Sequence, residues 1–287
     1  SLRRFSRTQR QLYLSAGRQM AARILSPLLL IMMLLLAVQW LSDAGIIRRF
    51  ILPAPSEVAQ SLIHDTREMK THLFHTLRIA LVGYFLSTLT GIAFALLMDR
   101  FTILYRAFYP LIVITQTIPT LIITPVIVLI FGYGDIPRLF VVILTCFFPI
   151  TISLYQGLKM IDPDTIRLMQ SMGASRREIL RHVKIPGSLP SFFSGLRISA
   201  TYSVMAVVLA EWAGGGDGLG IYMLRTKRSF RFDAMFASII WIVILSLLFY
   251  VSALALEYVC MPWESAVRKE GPPRAGINIH GSKQPPG

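Results

Sequence analysis

The 287-residue chain is 54% hydrophobic and 15% charged, with a mean hydropathy of +0.59; a soluble domain carries roughly 25% charged residues, so a polytopic membrane protein is indicated. The net charge of +14 does not point to nucleic acid, because the basic residues flank apolar runs, as charges that orient a membrane protein do. Only Cys146 and Cys260 are present, which excludes a disulfide framework and a cysteine zinc site; both lie in apolar runs and are expected to be small buried hydrophobes.

Residues 1–23 form a basic segment with Arg3, Arg4, Arg7, Arg10, Arg18 and Arg23 and no acid. The apolar run 24–40 follows. A basic head before an apolar run can be a signal peptide, but this head is long and no convincing small-x-small cleavage site follows, so a retained first span is expected. LPAPSEV places prolines at 53 and 55, and a short helix is expected from Ser56. The second span is about 73–98. His72 and His75 lie near its start without a third ligand nearby in sequence, so they read as interfacial polar residues and not as a metal site. The third span, about 107–131, is interrupted by Gln116, Pro119 and Pro125, and prolines in a membrane helix free carbonyls that need partners. A Gly132-Tyr-Gly-Asp turn leads to a fourth span at about 137–158, with Pro149 inside. The fifth span is about 191–212 and the sixth about 234–261. Between these last two lies AGGGDGLG, read as a flexible or tightly turned loop. The tail 263–287 is rich in Pro and Gly and is expected to be disordered.

The segment 159–190 is the longest polar interruption in the second half of the chain, and it reads as ordered. Asp162 is a good N-cap, with Pro163 in the first turn. A short helix over 165–172 then ends at Gly173, a residue that adopts the left-handed conformation. Ser175 and Glu178 have capping-box spacing, so a second short helix starts there. Pro186 and Pro190 are expected to stop it. The spacing predicts two short basic helices joined at a glycine, held between two spans as a docking surface.

Six spans put both termini on one side. With that side cytoplasmic, inside segments hold 18 Lys and Arg and outside segments 10, the expected bias. The segment 159–190 then faces the cytoplasm.

The chain has no G-x-x-x-x-G-K-[ST] phosphate loop, no H-E-x-x-H and no G-x-S-x-G, so no enzyme active site is indicated. AGGGDGLG follows a span and not a strand, which argues against a dinucleotide fingerprint. Polar residues at membrane depth are costly to bury and usually face a cavity or a partner. Gln116, Gln156, Arg197, Tyr202 and Glu211 are therefore the candidate pathway residues. Arg197 lies close enough to the inner surface to snorkel or pair with another helix, and Glu211 sits beside Trp212 at the outer end of its span.

The segment 159–190 resembles the cytoplasmic loop of ATP-binding-cassette importer permeases, whose motif is E-A-A-x3-G-x9-I-x-L-P. Gly173 matches the glycine, and Val183-Lys184-Ile185-Pro186 stands for I-x-L-P. Arg167, Leu168 and Met169 occupy the E-A-A positions, a departure at the acidic residue. LPAPSEV, QTIPTLIITPVIVLIFGYG, FFPITISLYQGLKMIDPD and AEWAGGGDGLG extend the resemblance over about 53–262, to the nitrate/sulfonate/taurine-type group. GYGDIPRLFVVILTCFFPI and ATYSVMAVVLAEWAGG look most like permeases for thiamine-precursor (hydroxymethylpyrimidine) uptake.

The resemblance implies an all-α, six-span type I ABC importer permease with a MetI-like fold, in the bacterial inner membrane, both termini cytoplasmic. It implies a second, identical permease subunit, two ATPase subunits on the cytoplasmic loops and an extracytoplasmic solute-binding protein. No cofactor is expected on this chain; ATP and Mg would be used by the ATPase. Asp164, Arg167, Gly173, Ala174, Ser175, Arg176, Arg177, Glu178 and Pro186 become the candidate coupling residues. Nitrate, sulfonate or taurine are the alternative solutes. An ion-coupled secondary transporter is the alternative of another class; it should often show inverted repeats and acidic or broken-helix ion sites near the midplane. No clear repeat is visible, and no acid lies well inside a span.

Overall fold

A computed structural model describes residues 25–27, 29–46 and 52–262. The basic segment 1–23 and the tail 263–287 lie outside the described residues. Every regular element among the described residues is helical. In chain order these are α1 (Leu25–Asp43), α2 (Pro55–His64), α3 (Thr66–Arg100), α4 (Thr102–Thr117), α5 (Thr120–Phe131), α6 (Asp135–Lys159), α7 (Pro163–Ser171), α8 (Arg176–Ile179), a π-turn (Leu180–Lys184), α9 (Ile185–Gly214), α10 (Leu219–Arg228) and α11 (Phe232–Cys260). Five helical segments are long and apolar enough to cross a membrane, with α8, the π-turn and α9 counted as one; the pair α4–α5 makes a sixth if it is one broken span.

Local chemistry sets most of these boundaries. Pro55 opens α2 in the first turn, and the Glu57 carboxylate accepts the orphan Ala54 N–H at 3.2 Å. The 35-residue α3 is roughly 52 Å long at 1.5 Å per residue. That exceeds a hydrocarbon core of about 30 Å, so the apolar run 73–98 is only part of the helix. The apolar run 107–131 is two helices bent by 104°. Pro119 caps α5 at ψ 126°; its ring disfavours helical geometry at Ile118, so the chain turns there. Pro110, Pro125 and Pro149 remain inside helices.

The described residues fall into two compact units. One holds those up to Leu86 with Thr117–Thr145 and Tyr202–Ser246; the other holds Ser87–Gln116, Cys146–Thr201 and those from Leu247 onward. The first has a core of Val58, Met69, Leu219, Tyr222, Ala234 and Ala237. The second packs Ala95, Met98, Ile112, Leu154, Tyr155 and Leu158. In the second unit α6 and α9 run antiparallel along a seam of small residues. Ser199 donates to the Cys146 carbonyl at 2.9 Å, a Cβ on Gly195 would meet the Pro149 carbonyl, and one on Gly157 would meet Ser191. Such residues let membrane helices approach closely enough for dispersion contact to hold them. Cys146 is buried there, whereas Cys260 is exposed at the end of α11, since that helix keeps most of its surface outside the protein.

Candidate functional site

The segment between α6 and α9 is built from its caps outward. Asp162 accepts the Asp164 N–H at 3.0 Å and Pro163 starts α7. The helix closes in a Schellman motif: Gly173 N–H donates to the Gln170 carbonyl and Ala174 N–H to the Met169 carbonyl, both at 3.0 Å. Gly173 has φ +86°. Ser175 N–H donates to Glu178 Oε2 at 2.7 Å and Glu178 N–H to Ser175 Oγ at 3.3 Å, a complete capping box. Arg167 and Asp164 form an exposed ion pair at 3.1 Å within α7. So the position that departs from the acidic motif bonds inside its own helix.

Pro186 and Pro190 do not stop the second helix. α8 passes through the π-turn into α9, and Ile185 N–H donates to the Leu180 carbonyl, five residues back. The wider turn lies just ahead of Pro186, where an α-turn would bring a carbonyl against the proline ring. Ala174, Arg176 and Arg177 therefore lie at the head of a helical run that reaches Gly214. Asp99, at the end of α3, clamps this assembly. Its carboxylate accepts from Lys184 Nζ at 2.8 and 2.9 Å and lies 3.3 Å from Lys159 Nζ. Both ends of the segment are thus fastened to one partly buried acid. Beside it is a cleft of about 300 Å³ lined by Asp99, Arg100, Ile166, Gln170, Arg176 and Lys184. Sequence reasoning passed over Asp99, which sits in an ordinary-looking polar turn, DRFTILYR.

A second polar constellation surrounds AGGGDGLG. Glu211 is fully buried at the end of α9. Its carboxylate accepts from Thr76 Oγ1 and from the Gly220 N–H, each at 2.7 Å. Thr76 Oγ1 in turn accepts the Leu219 N–H at 2.9 Å, and His72 Nδ1 accepts the Gly218 N–H at 3.0 Å. Arg138, its side chain 2% exposed, donates to the Asp217 carbonyl at 3.1 Å and to the Gly215 carbonyl. Asp135 lies 3.2 Å from His75 and pairs with Arg78. The glycine-rich turn is therefore wrapped by side chains of α3, α6 and α9, which satisfy its backbone as burial demands. A Cβ on Gly218 would land on the Glu211 carboxylate, so the turn closes only with glycine there. His72 and His75 belong to this network, and among the described residues no group of three or more His, Cys, Asp or Glu gathers around a metal-sized space.

The five candidate pathway residues stand on α4, α6 and α9. Gln116 is exposed next to the α4–α5 bend, Gln156 is exposed on α6, and Tyr202 is exposed on α9. Arg197 is half-buried and pairs with Glu257 of α11, which is helix pairing. Glu211 faces the buried turn.

Long apolar helices, a proline-broken pair and a capped helical element between two of the spans define a multi-pass membrane protein. Residues 87–259 match the family described as the binding-protein-dependent transport system inner membrane component, and the chain belongs to that family. It is 36% identical to the formylaminopyrimidine transport permease protein ThiX of Halalkalibacterium halodurans, over 80% of this chain and 93% of the relative. It is 28% identical to the taurine transport system permease protein TauC of Escherichia coli, over 82% of this chain and 88% of that one. A solved structure of the MetNI methionine ABC transporter in an inward-facing conformation shares the fold, with TM-score 0.57 and 20% identity, over 66% of this chain and 94% of that chain.

Proposed function

We propose that this permease carries a thiamine-precursor pyrimidine inward, as a homodimer served by two ATPase subunits and a solute-binding protein. The identity to ThiX over nearly that relative's whole length carries the choice of solute. The segment between α6 and α9 faces the cytoplasm with both termini, in line with the distribution of Lys and Arg. ATP and Mg act in the ATPase subunits, and this chain holds no cofactor. The capped helices of the segment receive the motion of the closing ATPase dimer. Because α8 runs without a break into α9, that motion passes to a spanning helix, and the pathway exchanges two packings of different affinity for the partners. Taurine or another sulfonate is the second reading, supported by the likeness to TauC.

The test is reconstitution in proteoliposomes with the co-expressed ATPase subunits and binding protein. Labelled hydroxymethylpyrimidine is expected to accumulate only with all components and ATP. Accumulation by the permease alone, driven by an ion gradient, would overturn the ATP-driven reading. Accumulation of taurine in place of the pyrimidine would overturn the choice of solute.

A further inference from the structure

A cleft of about 450 Å³ opens beside the glycine-rich turn, within the range of small-molecule sites. Two aromatics, Tyr133 and Trp212, two aliphatics, Ile221 and Leu224, and two arginines, Arg225 and Arg228, are among the residues that line it. The two aromatics are presented differently, Tyr133 on an open turn and Trp212 packed against the chain. Tyr133, 82% exposed, stands at the tip of the turn between α5 and α6, flanked by Gly132 at φ +80° and Gly134 at φ +133°. The Trp212 indole lies against Gly220, where a Cβ would come within 3.1 Å of the ring. Gly220 is itself tied to Glu211.

The cationic rim divides into two parts. Arg225 pairs with Glu68 and stacks over Tyr222 at 5.4 Å, so its charge is already answered. Arg228 is exposed and makes no ion pair among the described residues. The cleft thus offers two π-surfaces, that of Trp212 packed in place, beside one uncompensated guanidinium. Aromatic faces bind flat rings by stacking, and a guanidinium binds phosphate or carboxylate oxygens through paired N–H donors.

We propose that this cleft is an acceptor site, within the permease itself, for a planar heteroaromatic solute bearing an anionic substituent: the ring lies against Tyr133 and Trp212, and the anion meets Arg228. The proposal rests on the importer reading above and deepens it, since it gives the permease its own part in selecting the solute. The packing of Trp212 against Gly220 leaves little ordering to be done on that side, and Tyr133 is the side chain that orders on binding.

The test measures equilibrium binding to the complete permease–ATPase complex in nanodiscs with three probes: hydroxymethylpyrimidine, its monophosphate, and taurine as an anion without a ring. The monophosphate is expected to bind about tenfold more tightly than the neutral ring, the scale of one hydrogen bond to a charged group, and taurine more weakly than either. Trp212→Leu and Tyr133→Leu are each expected to weaken both ring probes by about fivefold or more, from the energy of base–aromatic stacking. Trp212→Phe and Tyr133→Phe, which keep a π-face, should retain binding and so separate stacking from misfolding. Arg228→Gln should remove only the preference for the monophosphate. Ring binding unchanged in both Leu variants, taurine binding as tightly as the rings, or no saturable binding would each overturn the site. So would Leu variants that alter stimulation by the binding protein but not probe binding, since the cleft would then be a protein contact. Uptake of the pyrimidine in proteoliposomes is measured alongside. If wild-type uptake fails, the importer reading falls; if uptake holds while the Leu variants bind normally, the cleft alone falls.

Discussion

Gly173 and Phe230 close their helices in the same way and at different cost. Phe230 N–H donates to the Lys227 carbonyl at 3.2 Å and Arg231 N–H to the Thr226 carbonyl at 2.9 Å, the pattern seen after α7. Both residues are left-handed, Phe230 at φ +58° and Gly173 at φ +86°. For a residue with a Cβ that conformation costs about 1–2 kcal/mol. A Cβ at Gly173 would meet no atom within 4 Å, so the penalty there is purely torsional. Gly173→Val should therefore distort the joint and uncouple ATP hydrolysis from uptake at normal membrane abundance. Gly173→Asn, a residue that tolerates the left-handed region, should stay near wild type. Paired ATPase and uptake rates decide it, and normal coupling in the valine variant would show the joint is unnecessary. At Phe230 the direction reverses: Phe230→Gly should stabilise the protein by roughly 1 kcal/mol, read as a higher midpoint in detergent melting. A lower midpoint would mean that the ring, 6.2 Å from Phe232, contributes more than the backbone loses.

Among the elements, those set by local chemistry were legible and those set by accommodation were not. Asp162, Pro163, Gly173 and the Ser175–Glu178 pair announce their caps within four residues, because each bond closes within one turn. Pro186 announces a stop, yet the chain widens one turn and continues, a choice that depends on what α9 packs against. The clamp at Asp99 was illegible for the same reason, since its partner Lys184 is 85 residues away. The Asp99 side chain is 9% exposed and meets two ammonium groups, Lys184 at 19% exposure and Lys159 at 52%; such a partly buried, twice-paired carboxylate contributes more than an exposed pair, which is worth about 0–1 kcal/mol. Asp99→Asn should therefore loosen the segment at both ends and lower ATP-driven uptake by at least about tenfold, leaving the spans inserted. Asp164→Asn, which breaks an exposed pair with Arg167, should change stability by less than about 1 kcal/mol. Equal effects of the two substitutions on uptake would show that Asp99 is not the anchor. Limited proteolysis of the segment offers a readout independent of transport.

At the scale of the molecule, the apolar runs made the all-helical, multi-span class legible, because a backbone in lipid must satisfy its polar groups within the helix. The network around the glycine-rich turn was not legible, since Thr76 and Glu211 lie 135 residues apart and His72 and Gly218 lie 146 apart. Nothing near Glu211 in sequence distinguishes a pathway acid from a buried strut. The geometry makes opposite predictions for the two roles. A strut holds α3, α9 and the turn before α10 together, so stability and transport should fall together when it is cut. Thr76→Val removes the donor to Glu211 and the acceptor of the Leu219 N–H, leaving two buried polar groups unpaired at about 1–3 kcal/mol each. Thr76→Ser keeps both bonds and should restore most of the loss. Glu211→Gln keeps the shape of the side chain but turns one acceptor toward a donor, so its melting midpoint should fall as well. If Glu211→Gln instead lowered uptake severalfold with an unchanged midpoint, the carboxylate would be serving the solute and not the turn.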